Sequence, residues 1–252
     1  MKQQFAYLLK SPQGILLNDG VLSVMVAHEY RGSQARINIT LRNVGAADIV
    51  GLSPSIVCSP PEALRSQLSK IPQMLGAGGQ SQTELMVECM MNYASAPIFQ
   101  LNFASAAAPG MQPTPYSYEI PLPCPCFKFM EQMPMQPQDF ATSWAKMNAP
   151  GLEQSAVFSS SNPSSPINPT LVAQELASLN IAIIPTAEAA TCGAAILRTG
   201  TAGAGGQKIS VGCLVRVEVN PQAGAFRCTV RTATAPMSSL LLDTVRGCLS
   251  GD

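Results

Sequence analysis

The chain has 252 residues, of which 46% are hydrophobic and 12% are charged, and its 15 Lys and Arg residues balance its 15 Asp and Glu residues. This balance excludes the electrostatic attraction on which nucleic-acid binding and anionic-membrane binding rely, while the apolar fraction is large enough for a folded core. The single histidine excludes metal sites built from two or more imidazoles, and no run of residues reaches the roughly 18 apolar positions of a membrane span.

The first half of the chain is typical of short strands separated by turns. Asn18, Asp19 and Gly20 form a hairpin turn signal, and residues 36–42 alternate strictly between polar and apolar side chains. Segment 60–75 has a less clear pattern, which is compatible with a short helix. The predicted strands are Gly14–Leu17, Val21–Tyr30, Arg36–Arg42, Ile49–Val57, Thr83–Met91, Ile98–Phe103 and Tyr116–Leu122. This pattern predicts an antiparallel, immunoglobulin-like β-sandwich.

His28 and the cysteines are expected to have structural roles. His28 shares an apolar strand face, which predicts a sheet residue with a local hydrogen bond rather than a catalytic base. The eight cysteines are sparse, and the apolar patch Phe5–Leu9 is too short for a secretory signal, so buried free thiols are expected rather than disulfides. Cys124 and Cys126 are a close pair without two further ligands nearby, so we expect no metal and no cofactor.

The composition changes around residue 122. Proline lacks the donor that a sheet ladder needs, so Pro121, Pro123 and Pro125 indicate a boundary between a sandwich subdomain, 1–122, and a second subdomain, 123–252. The predicted helices there are Gln138–Met147, Thr170–Leu179 and Pro236–Leu249. The predicted strands are Ile181–Ile184, Ala194–Thr199, Ile209–Val219 and Ala225–Thr232, with a loop at Ser159–Pro169 and a flexible connection at Ala202–Gly206. The fold class is therefore α+β.

Three arginines share one face of the last predicted hairpin. Arg216, Arg227 and Arg231 alternate with apolar residues, and a register centred on the turn places Arg216 opposite Arg227. Two interpretations remain open from the pattern alone. The face is solvated, with Glu218 neutralising one arginine, or it binds the acidic group of a ligand, because arginine suits carboxylate pairing.

Four segments resemble one known family, in order and over nearly the whole chain. They are GILLNDGVLSVMVAHEYRG, GGQSQTELMVEC, QDFATSWAKMNAPGLEQSAVF (Gln138–Phe158) and GCLVRVEVNPQAGAFRCTVR (Gly212–Arg231). These segments are similar to the appendage, or ear, of alpha-adaptin, the large subunit of the plasma-membrane clathrin adaptor. The resemblance implies an N-terminal β-sandwich followed by a platform of mixed sheet flanked by helices. It also implies a recruitment module without catalytic activity.

The resemblance assigns a peptide-binding site to the platform. Trp144 matches the pocket tryptophan of the family, Phe140 an aromatic beside it and Glu153 an acidic residue that shapes the pocket. Arg216, Arg227 and Arg231 match its basic cluster. The implied ligands are short DPF, DPW and FxDxF motifs in disordered tails of endocytic accessory proteins. Ala141 departs from the family, which has a second aromatic there, so the pocket is expected to be wider or shallower.

A second family site, on the sandwich, binds WxxF motifs. Gln80 matches its glutamine, whereas Thr40 stands where the family has an aromatic residue, so part of the implied contact is missing. The resemblance further implies a cytoplasmic location at plasma-membrane coated pits. There the domain would join the rest of the heterotetrameric adaptor through a hinge that this sequence does not contain. The isolated domain is expected to be monomeric and to insert into no membrane.

Three alternatives stay open at this point. One is a cysteine or serine hydrolase, which needs a base beside its nucleophile. Another is an extracellular sandwich held together by disulfides. The third keeps the fold and assigns it to a beta-adaptin or coatomer appendage with other partners.

Overall fold

The computed structural model describes residues 2–106, 112–160, 167–186, 189–203 and 208–250. The chain divides into two compact units, Met1–Cys126 and Phe127–Asp252. The boundary expected at residues 122–123 lies slightly earlier in the same proline-rich segment. The expected loop 159–169 and the expected connection 202–206 fall largely on residues 161–166 and 204–207, which lie outside the described residues.

The first unit consists of a short helix and two antiparallel sheets. Its elements are α1 (Lys2–Lys10), β1 (Gln13–Asn18), β2 (Leu22–Arg31), β3 (Gln34–Asn43), β4 (Asp48–Val57), β5 (Leu64–Leu68), β6 (Met74–Leu75), β7 (Gln80–Cys89), β8 (Ile98–Ala106) and β9 (Thr114–Pro121). The strand orders are β1-β2-β3-β7-β5 and β6-β4-β8-β9. The predicted β-sandwich is confirmed.

The alternation along β3 shows how the sequence places the sandwich core. Ile37, Ile39 and Leu41 are fully or almost fully buried, whereas Arg36 and Arg42 are exposed. Burial of each of these aliphatic side chains contributes about 1.5–3 kcal/mol to folding. A shift of one residue would turn all three toward water, so the core face determines the register of β3 against its neighbours.

Two parts of the first unit differ from the prediction. Residues 2–10 form α1, whose Leu8 is fully buried, and the Leu8 carbonyl accepts a hydrogen bond of 3.2 Å from His28 Nε2. His28 is therefore a buried sheet residue as predicted, although its partner lies twenty positions away in the chain rather than nearby. Segment 60–75, whose sequence pattern is unclear, contains a 3₁₀ turn at Pro61–Ala63 and the strands β5 and β6.

The second unit is one sheet with helices on both faces. Its elements are β10 (Met130–Gln132), α2 (Pro137–Lys146), β11 (Glu153–Ser159), α3 (Pro169–Ser178), β12 (Ala182–Ile184), β13 (Thr191–Ala202), β14 (Lys208–Asn220), β15 (Ala225–Thr232) and α4 (Ala235–Ser250). The order is β10-β13-β14-β15-β11, with β12 beside β13. The α+β class is confirmed. The expected mixed sheet is wrong, because hairpins join β13, β14 and β15 and every pairing among the described strands is antiparallel.

The two faces of this sheet carry different helices. Gly193 of β13 faces α3, since a Cβ atom there would lie 2.6 Å from the Ile181 side chain and 3.7 Å from Leu176. The adjacent Ala194 points to the other face, where it packs in one cluster with Phe140 of α2. α4 packs against β15 and β11 and contacts α3. Beyond α2, this second face of the sheet is formed by side chains of β14, β15 and β11.

Candidate functional site

The basic face lies on the hairpin of β14 and β15. The turn at residues 221–224 ends on Gly224 at φ +62°, a conformation that favours glycine, and it pairs Asn220 with Ala225. In this register Arg216 lies opposite Thr229, and the expectation that it faces Arg227 is wrong. Alternation with a period of two assigns the faces, but it does not distinguish registers that differ by two residues.

Glu218 lies between Arg216 and Arg227. It lies directly opposite Arg227 on the neighbouring strand. Its carboxylate is 3.2 Å from Arg216 Nη2 and 3.8 Å from Arg227 Nε, so it contacts both guanidinium groups. The Arg227 side chain nevertheless remains 64% exposed. Glu218 therefore bridges the two positive charges, and the Arg227 guanidinium stays accessible to solvent.

β11 extends the same face beyond β15. Glu153 lies opposite Arg231, Ser155 opposite Thr229 and Val157 opposite Arg227. The hydroxyls of Ser155 and Thr229 are 3.1 Å apart. The sequence pattern predicts no strand here, because the segment EQSAVFS mixes small and polar residues and lacks a strong β pattern.

α2 brings an aromatic pair to this face. The helix begins at Pro137, which needs no amide partner in a first turn, and Asp139 suits the positive end of the helix dipole. Phe140 is 5% exposed and belongs to the core, whereas Trp144, one turn later, is only partly buried. Their rings stack at 5.6 Å with an interplanar angle of 25°. Phe140 therefore packs against Trp144 from the core side, and Trp144 provides the partly exposed aromatic surface.

Arg231 holds Trp144 in place. Its guanidinium carbon lies 4.5 Å from the centroid of the Trp144 ring, a cation–π distance. The same group donates to Glu153 at 2.7 Å and to the Trp144 carbonyl at 2.5 Å. The predicted residues Phe140, Trp144, Glu153 and Arg231 are therefore brought together, and Arg216 and Arg227 lie farther along the same face.

Methionines surround the aromatic pair. Met133, Met135 and Met147 are partly buried and pack against the same cluster as Phe140. Ala141 is exposed on the first turns of the helix and provides no aromatic wall. Met133 and Met135 are not predictable as site residues from the sequence, since only the pairing of residues 130–132 with β13 carries them to this face. Thioether side chains adapt readily to differently shaped ligands.

Of the two positions compared with the family's sandwich site, Thr40 lines a groove. Thr40 lies opposite Gln82, and both line a groove of about 1060 Å³ together with Met25, Ile15 and part of α1. Gln80 is exposed at the start of β7, where it pairs with Arg42 rather than with Thr40. The structure thus places Gln80 one row of side chains away from Thr40.

The eight cysteines are free thiols. Six are buried, and Cys58 and Cys248 are partly exposed. Burial raises the pKa of the Cys124 thiol and that of the Cys228 thiol from 9.0 to about 12 in each case. Within the described ranges, no three Cys, His, Asp or Glu side chains are grouped so as to hold a metal ion. No helix in those ranges is long and apolar enough to cross a membrane.

Comparison with known proteins gives a matching family and several relatives, one of which is described here. Residues 128–248 match the family described as "Alpha adaptin AP2, C-terminal domain". The chain is 24% identical over 229 residues to the AP-2 complex subunit alpha-2 of Dictyostelium discoideum, an alignment that covers 91% of this chain and 22% of the relative. The chain thus spans about a fifth of that protein. Both matches are to the alpha type rather than to the beta-adaptin or coatomer alternative.

Two solved structures are similar to parts of the chain. The GAE domain of GGA2p from Saccharomyces cerevisiae has a TM-score of 0.36 and 13% identity, and the alignment covers 45% of this chain and 99% of that domain. The GAE domain of yeast GGA1 has a TM-score of 0.33 and 13% identity, with coverage of 44% and 99%.

Proposed function

We propose, because residues 128–248 match the family described as "Alpha adaptin AP2, C-terminal domain", that this chain is a motif-binding recruitment module of a clathrin adaptor. In this proposal the platform binds DPF, DPW and FxDxF motifs in disordered tails of endocytic accessory proteins. The module works without catalysis, because its role is to concentrate partners at a forming coat.

One observation supports this proposal best. Trp144 is partly exposed, stacks on the buried Phe140 and lies against Arg231 on the arginine-bearing face of the sheet. Aromatic anchors in preformed surfaces supply most of the binding energy of short peptides. Arg227 lies on the same face with most of its side chain exposed, so it suits the aspartate that these motifs share. An aromatic residue and an acidic residue of one peptide therefore both find complementary groups.

The hydrolase alternative has less support. His28, the only histidine, is buried in the sandwich unit and donates a hydrogen bond to the Leu8 carbonyl. A hydrolase that used it would need a nucleophile within hydrogen-bonding reach. No cofactor enters the proposal.

The proposed setting follows from the relative. A protein named as an AP-2 complex subunit suggests that this module acts in the cytoplasm at coated pits of the plasma membrane, as part of a larger adaptor. The groove lined by Thr40 and Gln82, one row of side chains away from Gln80, is a secondary candidate for WxxF motifs. It lacks the aromatic residue that the family uses there.

A peptide titration tests the proposal. DPF, DPW, FxDxF and WxxF peptides would be titrated by calorimetry into the wild-type protein and into Trp144→Ala, with circular dichroism to verify folding. We expect the first three peptides to bind the wild type and to lose most of their affinity for the variant. Equal binding of these peptides to a folded Trp144→Ala variant, or no binding to the wild type, would contradict the proposed function.

A further inference from the structure

Four of the cysteines lie close together in the first unit. They come from three separate stretches of the chain: the residue after β4, the end of β7 and the segment after β9. Cys89 lies within electrostatic range of the other three, which are Cys58, Cys124 and Cys126. Three of these four side chains are buried, and Cys58 is partly exposed. The fold of the first unit thus gathers four thiols in one neighbourhood.

The register of the strands explains this cluster. β4 and β8 pair Val57 with Ile98, and β8 and β9 pair Ile98 with Pro121. Cys58 and the segment after β9 therefore both follow the same row of one sheet. Cys89 is the last residue of β7 in the other sheet. The cluster lies where strands of both sheets end.

Tyr93 connects the chain after β7 with the chain after β9. Its hydroxyl donates to the Cys124 carbonyl at 2.6 Å and lies 4.0 Å from the Cys124 sulfur. Its backbone amide donates to the Cys126 side chain. Tyr93 is 2% exposed, and the Cys89 amide is held by the Ser33 carbonyl at 2.8 Å. The backbone around both cysteine segments is therefore fixed by buried hydrogen bonds.

Cys89 and Cys126 are direct neighbours within the cluster. Their side chains are joined by a hydrogen bond, and the Cys89 sulfur also lies 3.3 Å from the Met91 carbonyl. This hydrogen bond lowers the pKa of the Cys126 thiol, whereas burial raises the pKa of Cys58 and that of Cys124. The thiolate is the nucleophile in sulfur chemistry, so Cys126 is the sulfur of the cluster that is best prepared to react.

We propose that Cys89 and Cys126 are a reversible redox pair, which forms a disulfide when the protein meets hydrogen peroxide. First, the Cys126 sulfur attacks one peroxide oxygen, the O–O bond breaks, and a sulfenic acid and water form. Then the Cys89 sulfur attacks the Cys126 sulfur, the S–O bond breaks, and a second water leaves. The two thiols lose two electrons and two protons, and the peroxide gains them.

The cluster suits a disulfide better than a metal ion. Within the ranges that the structure describes, no three Cys, His, Asp or Glu side chains are grouped so as to hold a metal, whereas a disulfide needs only two neighbouring thiols. In a reducing compartment such bonds are transient and act as redox sensors. The inference is independent of the proposed function, because all four thiols belong to the first unit.

The bond would restrain the end of the first unit. Cys126 is the last residue of that unit, and the chain continues from it through a 3₁₀ turn, Cys126–Phe129. A bond to Cys89 would tie this point to β7 and would close a long loop in the unfolded chain. The oxidised protein should therefore be more stable toward heat than the reduced protein.

Peptide mapping of the oxidised chain tests the inference. The protein would be treated with hydrogen peroxide, alkylated in denaturant and digested with a protease that cleaves after glutamate. Cleavage after Glu88, Glu119 and Glu131 places Cys89 in fragment 89–119, and it places Cys124 and Cys126 in fragment 120–131. We expect these two fragments to be joined, and dithiothreitol should separate them. Tandem mass spectra of the joined wild-type fragments should assign the bond to Cys126, without any substitution that could disturb the fold.

Alanine variants and thermal melts give the matched comparison. Cys126→Ala should lose the joined fragments, whereas Cys124→Ala and Cys58→Ala, which alter other thiols of the same cluster, should retain them. Oxidation should raise the melting temperature of the wild type by about 5–15 °C, and reduction should reverse the rise. Folded Cys126→Ala should show no such rise.

Three outcomes would overturn the redox pair. The first is a wild type in which peroxide modifies only the partly exposed Cys58 and Cys248. The second is a bond that the spectra assign to Cys124, and the third is joined fragments that Cys126→Ala retains.

Discussion

The guanidinium carbon of Arg231 lies 4.5 Å from the centre of the Trp144 ring, and the same group pairs with Glu153. Only 16% of the Arg231 side chain is exposed. We infer that Arg231 is a positioning residue, which fixes the indole on the sheet, and we expect the more exposed Arg227 to be the arginine that contacts a ligand. Residues that look equivalent in the sequence pattern thus have different roles in the structure.

Replacement of Arg231 by lysine tests this positioning role. Lysine retains the charge but lacks the planar fork that contacts Glu153, the Trp144 carbonyl and the ring at once. We expect Arg231→Lys to weaken peptide binding about tenfold and to shift the Trp144 emission of the free protein, while the fold is retained.

The control for this variant is Arg198→Lys. Arg198 pairs with Glu131 at 2.8 Å on the same sheet but makes no described contact with Trp144. Arg198→Lys should leave peptide affinity and emission unchanged. If Arg231→Lys behaves like this control, Arg231 does not orient the tryptophan.

Arg227 is predicted to act through its charge. Because its side chain is largely exposed, its removal should affect folding little. Arg227→Ala should weaken binding of aspartate-containing peptides, and Arg227→Glu should weaken it further by adding repulsion. Wild-type affinity should also fall as salt rises.

The matched surface control for that series is Arg246→Glu on α4, whose partner is Asp243. It changes the net charge of the protein by the same amount away from the site. Equal affinities of Arg227→Glu and wild type, with both proteins folded, would eliminate Arg227 from the site.

Single motifs are expected to bind weakly. A short peptide buries one or two anchoring side chains and loses conformational freedom, so we expect dissociation constants of about 10–100 μM, or about −5.5 to −7 kcal/mol. Two motifs joined by a linker should bind two tethered copies of the domain much more tightly than one. Low-nanomolar binding of a lone motif in calorimetry would be inconsistent with so small a site.

The buried thiols predict a loss of stability at alkaline pH. The pKa values of Cys124 and Cys228 rise from 9.0 to about 12 because burial disfavours their thiolates, so these groups stay protonated in the folded chain where the unfolded chain ionises. Their contribution is fully present below about pH 9 and is lost toward pH 12, at about 1.4 kcal/mol per pH unit for each thiol.

Thermal melts between pH 7 and pH 10.5 measure this effect. Cys228→Ala should lower the melting temperature at neutral pH, because it leaves a small cavity, but its melting temperature should fall less steeply above pH 9 than that of the wild type. Parallel curves for the two proteins would show that Cys228 does not contribute to the alkaline loss.

The strong local patterns were predictable from the sequence. β3 alternates through three buried aliphatic residues, and α2 combines Pro137 in its first turn with an aromatic pair one turn apart. The recognition of an alpha-adaptin appendage, made on four ordered segments, is confirmed by the matched family and the matched relative.

The features that the sequence did not predict correctly depend on contacts between residues that are distant in the chain. A period of two assigns the faces of the β14–β15 hairpin but not the partner of Arg216, which the length of the turn decides. β11 has too weak a pattern to be recognised until β15 pairs with it, and Val157 acquires its position only through that pairing. α1 is a short helix whose buried residue, Leu8, finds its partner His28 in another element.

Trp144 is the only tryptophan, so its fluorescence reports on the site directly. Titration of an FxDxF or DPF peptide into the native protein is therefore the most direct test of the central claim. A partly exposed indole should emit at an intermediate wavelength in the free protein and shift to shorter wavelength on saturation, as the ligand displaces water. The same peptide with its aromatic residues replaced by alanine should cause no shift. A spectrum typical of a fully buried indole, unchanged by any of these peptides, would contradict the account and return Trp144 to the core.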